Sequence, residues 1–163
     1  MGIGTFILSF VLSLISEVSF RVVPLVISSL LVLIVVFIGI IFDMIGMATI
    51  TADLKILHAR ASQKVPGAKV AVELVRNSAR VSSICNDVVG DICGTLSGAL
   101  GAAIVIEMLL QNPNLNGVIL GVSVTSMVAS LTVGGKSYGK GIAIESGTSI
   151  ISFIGKLLAK VRM

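Results

Sequence analysis

Charge is what this chain has least of. Of its 163 residues only 12% are Asp, Glu, Lys or Arg, while 55% are hydrophobic and the mean hydropathy is +1.09. A soluble globular domain carries about 25% charged residues, so the composition excludes one and indicates an integral membrane protein. The length allows three or four spans with their connections, and no further soluble domain of ordinary size. A regulatory or catalytic lobe is therefore expected on another chain.

Histidine and cysteine are also scarce, with one and two residues. Cys85 and Cys93 fall on one predicted helix about 12 Å apart along its axis, too far to bridge each other. They read as small packing residues. His58 stands among basic residues, which gives it a surface role. Gly134-Gly135-Lys136-Ser137 lacks the earlier glycine of a phosphate-binding loop and follows an apolar span rather than a strand. No nucleophile, base and orienting residue group together. Neither an enzyme nor a nucleic-acid partner is expected.

What the chain has in quantity is long apolar runs. No charged residue occurs from Val22 to Phe42, and a helix of about 20 residues crosses the hydrocarbon core. Pro24 stands at the start of this run, where its missing N–H is harmless. Apolar character continues past Asp43, Gly46 and Thr49 to about Ile50, so a tilt or a break near Gly46 is expected. Second and third spans are predicted over about 81–110 and 117–138. Gln111-Asn-Pro-Asn-Leu-Asn116, rich in turn residues, joins them as a short hairpin.

Basic residues orient the spans, because the insertion machinery tends to keep them cytoplasmic. Residues 53–80 carry Lys55, Arg60, Lys64, Lys69, Arg76 and Arg80, and the tail carries Lys136, Lys140, Lys156, Lys160 and Arg162. The hairpin loop carries none. The connector and the C-terminus are thus predicted to be cytoplasmic, in a multi-pass protein of the cell membrane.

Outside the spans three amphipathic stretches are predicted. Over residues 1–21, Thr5, Ser9, Ser13, Ser16 and Glu17 share one helical face opposite Phe6, Ile7, Phe10 and Val11. An interfacial helix fits this best; a fourth span would be short, and a signal peptide would need a basic start and a cleavage site. The connector, residues 53–80, reads as two short helices separated by Val65-Pro66-Gly67. Its basic side chains, like those of a tail helix over 141–163, either lie on anionic head groups of the bilayer or form a solvated face.

Three carboxylates, Asp43, Asp87 and Asp91, fall at the edges of the spans or inside them. A charge at membrane depth costs about 2.5–3.5 kcal/mol even on lenient insertion scales, so each needs a partner. No basic residue lies within the same apolar stretch. Asp87 and Asp91 are one helical turn apart, beside Asn86. These oxygen ligands suit Mg²⁺ rather than Zn²⁺. The alternative is that they cap a helix at the membrane boundary. Ser123, Ser126 and Ser130 form a stripe in the third span, suited to interhelical hydrogen bonds or to the lining of an ion path. Gly90, Gly94, Gly98 and Gly101 permit close approach of a neighbouring helix, within the bundle or across a dimer.

An apolar span ending in Phe42-Asp-Met-Ile-Gly-Met-Ala-Thr-Ile-Thr-Ala-Asp53, a helical connector, and Asn86-Asp87 opening a second span together resemble the transmembrane domain of the CorC/CorB/cyclin-M proteins implicated in Mg²⁺ transport. The resemblance covers most of residues 25–140, within a transmembrane domain drawn over 22–140. Asp43 falls on a serine of that family's first motif, Asn86 and Asp87 on its paired asparagines, and Gly135-Lys136 on its Pro-Lys pair. Gly46 stands in place of the first-motif glutamate, and the third-span acid is replaced near Thr132. The resemblance implies a homodimer of three-span protomers with an inward-facing cavity. Mg²⁺ would bind there between Asp43, Asn86, Asp87, Asp91, Ser126 and Ser130 and cross by alternating access. Gly46 and Gly90 are then candidate hinges and Na⁺ a candidate coupling ion. The tandem CBS domains of that family are not in this sequence, so nucleotide regulation would come from a separate cytosolic chain. The rival reading is a non-transporting membrane scaffold or accessory subunit, packed through its glycine-rich second helix.

Overall fold

The structure, a computed structural model, describes Phe6, Ile7, Phe10 and residues 25–161. The amphipathic helix expected over 1–21 lies outside the described residues apart from those three, which are helical. Arg21, Pro24 and Arg162 also lie outside them. Among the described residues the chain is helical apart from short turns, with no strand.

We label the helices α1 (Leu25–Thr51), α2 (Leu54–Ser62), α3 (Ala68–Arg76), α4 (Ser78–Ser83), α5 (Gly90–Gln111) and α6 (Gly117–Val161), with a π-helical segment, Ile84–Val89, between α4 and α5. Three helical runs, Leu25–Thr51, Ser78–Gln111 and Gly117–Lys160, are long and apolar enough to cross a membrane. These are the three predicted spans. The third is longer than expected: residues drawn as a separate tail helix continue α6, with one bend at Ser146 (φ −119°, ψ 18°). A Ser-Gly step is a usual place for a helix to bend.

The chain divides into two compact units, and each long helical run contributes to both. The first comprises residues 25–40 and Gly90–Gly135; the second comprises Ile41–Val89 and 136–161. In the first, Val32 and Val36 of α1 pack with Leu100 and Ile104 of α5, and Val128 of α6 adds to this core. Gly39 lets α1 approach α5, since a Cβ there would stand 2.9 Å from the Cys93 Cβ. The predicted hairpin loop is present, and Asn116 closes it. Its Oδ1 accepts from the N–H groups of Val118 and Ile119 at 3.1 and 3.3 Å, capping α6.

In the second unit the connector is built into the core. Ala48 and Ala52 of α1, Leu57 of α2, Ala71 and Val72 of α3, and Ala143 and Ile151 of α6 form one buried cluster. The apolar face of α3, expected to lie on the membrane surface, is covered by protein instead. Small residues permit this: Gly155 of α6 meets Gly67 so closely that an added Cβ would fall 2.6 Å from the Gly67 carbonyl oxygen and 2.9 Å from the Ala71 Cβ. Gly67 has φ +80°, a left-handed conformation that a side chain disfavours. Polar struts complete the unit. Thr51 Oγ1 donates to the Ala143 carbonyl at 2.9 Å, and the Asp53 N–H donates to Thr148 Oγ1 at 2.9 Å. Asp53 also caps α2 by accepting from the Lys55 N–H at 2.7 Å.

The break expected near Gly46 does not occur, because α1 is helical throughout Leu25–Thr51. Thr49 Oγ1 donates back to the Gly46 carbonyl at 2.7 Å within that helix.

Candidate functional site

Asp43 is buried, with 3% of its surface exposed, in the part of α1 that belongs to the second unit. The basic partner absent from its own span comes from α6. Lys140 Nζ stands 3.5 Å from Asp43 Oδ2, while Oδ2 itself has no hydrogen-bond partner. The pair is therefore held by charge attraction alone. Its two members differ in exposure: the Lys140 side chain is 43% exposed and that of Asp43 only 5%.

One turn along the same face of α1 lies Gly46. Asn86, in the π-helical segment, fills the space a side chain at Gly46 would take. A Cβ built on Gly46 overlaps the Asn86 Oδ1 and lies 2.8 Å from its Cγ. Asn86 Oδ1 is the second buried oxygen without a hydrogen-bond donor. Gly46, expected as a hinge, thus serves as a point of close approach between two helices. Burying an acceptor unpaired costs about 1–3 kcal/mol. Two such atoms, from Asp43 and from the residue packed one turn away, make this the chemically unsatisfied part of the second unit.

The π-helical segment was not foreseen from the sequence. It inserts extra backbone into the second span where Asn86 and Asp87 lie, and π segments are enriched at functional sites. The only sequence signal for it is that polar pair inside an apolar run. It also changes the expected relation between Asp87 and Asp91, which assumed α-helical spacing. Asp87 is exposed, and its Oδ2 accepts from Ser83 Oγ at 2.9 Å. Asp91 is exposed at the start of α5, in the first unit, where its carbonyl accepts from Thr95 Oγ1 at 2.6 Å. Among the described residues no group of three or more His, Cys, Asp or Glu side chains comes together.

The third-span hydroxyls also differ from expectation. Ser123, Ser126 and Ser130 are exposed, and Ser130 Oγ donates to the Met127 carbonyl of its own helix at 2.9 Å. Instead, Thr125 and Thr132 border a groove of about 190 Å³ in the first unit, with Gly94, Ser97, Gly98 and Gly101 of α5. A Cβ at Gly94 or Gly98 would meet nothing within 4 Å; one at Gly101 would be in ordinary contact with Val128 at 3.6 Å. Gly90 is buried.

Of the basic connector residues, Lys55, Lys64, Lys69, Arg76 and Arg80 are exposed as expected. Arg60 is not free for a surface role, since its Nη1 donates to Ser152 Oγ at 2.6 Å and ties α2 to α6.

No family model, curated protein or solved structure matches this chain.

Proposed function

We propose that this is a multi-pass membrane protein that binds a divalent cation, Mg²⁺ foremost, at the Asp43–Asn86 centre and moves it across the bilayer. One observation carries this reading: two buried oxygens that can only accept, Asp43 Oδ2 and Asn86 Oδ1, are left without donors. A hard cation satisfies such oxygens, and Mg²⁺ is usually bound through one or two carboxylates while keeping several of its waters, the carboxylate here being that of Asp43. The exposed belt of α1, including Val26, Leu30, Leu33, Ile34 and Phe37, suits lipid contact better than water.

The finer features follow the resemblance to the CorC/CorB/cyclin-M transmembrane domain. Alternating access would carry the ion, a Na⁺ gradient would drive it, and the basic connector and C-terminus would face the cytoplasm of the cell membrane. A separate cytosolic chain would supply regulation. A second copy of the chain would seat its helix in the α5–α6 groove, where Gly94 and Gly98 leave space. That same groove favours the second reading, a non-transporting scaffold assembled through α5.

Mg²⁺ flux into proteoliposomes tests the two against each other. Transport is expected from the parent and is lost in Asp43→Asn and Asn86→Leu. Flux equal to that of empty vesicles, with dimers intact, leaves the scaffold.

A further inference from the structure

The Asp43–Lys140 pair is unusual in how it is made. A buried carboxylate in an apolar helix is ordinarily held by a charged partner that also donates hydrogen bonds, because Coulomb attraction alone does not repay the loss of water. Here the ammonium stands 3.5 Å from Oδ2 and makes no hydrogen bond to it. The partner is also a lysine, a point charge on a flexible four-carbon stem rather than a planar fork locked in register. Its side chain is 43% exposed while that of the carboxylate is 5% exposed. The carboxylate is enclosed, but the ammonium reaches the protein surface and has little to hold it.

Charge balance then limits what the centre can contain. Asp43 with Lys140 is neutral, and Asp43 with a divalent cation carries one surplus positive charge. All three together would set two cationic groups against one carboxylate at short range in a poorly screened site. The lysine and the ion are mutually exclusive on these grounds.

Building on the cation-binding reading above, we propose that Lys140 is a tethered competitor for the ion, neutralising Asp43 when the centre is empty and expelled into water when a divalent cation arrives. Lys140 lowers affinity and so eases release of the ion. It also spares the empty protein an uncompensated buried carboxylate. It is a residue that sets affinity by withdrawal, not a ligand.

The experiment uses the full chain in lipid nanodiscs, titrated with MgCl₂, for the parent, Lys140→Met, Lys140→Arg and Asp43→Asn. Lys140→Met is expected to bind Mg²⁺ at least about tenfold more tightly than the parent, since a close opposing charge is removed. Lys140→Arg should stay near or below the parent affinity, and Asp43→Asn should bind about thirtyfold or more weakly. In parallel, acylation of Lys140 by a water-soluble amine reagent, followed peptide by peptide, is expected to speed up severalfold as Mg²⁺ saturates the parent. In Asp43→Asn the same lysine should react fast with or without Mg²⁺. The acylation measurement needs no lysine variant, so it decides the matter even if Lys140→Met fails to fold. If the parent binds Mg²⁺ through Asp43 but Lys140→Met binds no more tightly and Lys140 reactivity ignores Mg²⁺, the competitor role is overturned and the binding reading stands. If neither the parent nor Lys140→Met binds Mg²⁺, both fall together.

Discussion

The two units of this protein differ in how far their polar side chains reach. In the first, several hydroxyls are satisfied by the carbonyl three or four residues back on their own helix. Ser97 bonds to Gly94, Thr125 to Gly121 and Thr132 to Val128. Such bonds satisfy the hydroxyl's one donor within its own helix in an apolar setting, while its oxygen lone pairs stay available. In the second, some hydroxyls do the same, as Thr49 does to Gly46, but other polar groups reach across elements, as Thr51 does to Ala143 and Arg60 to Ser152, and two acceptors are without hydrogen-bond donors at Asp43 and Asn86. The contrast teaches where chemistry is available: hydroxyl stripes indicate little by themselves, whereas an unpaired acceptor behind a buried charge does.

The sharpest attempt to break this contrast is Asp43→Asn, which keeps the shape and removes the charge. Mg²⁺ binding is expected to weaken by about thirtyfold or more, in line with the ~2–5 kcal/mol lost on truncating a buried charge partner. Calorimetric titration checks it, and unchanged affinity would place the site elsewhere. Next in size is Gly46→Ala, which drives a Cβ into Asn86. Overpacking of this kind costs about 1–3 kcal/mol, set against a helix-propensity gain of up to ~1 kcal/mol. A lowered melting temperature, restored in the double variant with Asn86→Ala, is the expected outcome. No restoration would mean that the two residues do not compete for the same space.

In the first unit the effects should be smaller and of different sign. Gly98→Ala meets no atom within 4 Å, so the chain gains up to about 1 kcal/mol of helix propensity. If α5 is the seam of a dimer, subunit exchange measured by energy transfer in bilayers should nevertheless quicken. Smallest of all is Asp91→Asn. Its exposed side chain belongs to the other unit from Asp43 and Asn86, and Mg²⁺ affinity is expected to stay within about twofold, as for an exposed charge screened by salt. A larger loss would draw Asp91 back into the site and blur the distinction between the units.

Much of the architecture was legible beforehand. The three helices long and apolar enough to span a membrane, the hairpin at 111–116 and the short helices on either side of Pro66 follow from runs of apolar residues and local turn chemistry. The site was legible only in part. Asp43 and Asn86 were marked as polar groups in oily segments, and they are the two with open acceptors. Asp87 and Asp91 carried the same mark. Nothing in their composition showed that Ser83 would occupy the first, or that the second would be exposed in the other unit.

Composition and periodicity determined what is nearest-neighbour physics: which stretches become helices, where they turn, and which are apolar enough for a bilayer, because those depend on residues a few positions apart. Tertiary structure alone decided that Lys140 of α6 faces Asp43, that Asn86 settles on Gly46, that a π-helical segment interrupts the second span, and that the connector packs onto α6 instead of lying free. Each of these rests on side chains far apart in the chain competing for the same few ångströms, and local pattern carries no information about which of them will meet.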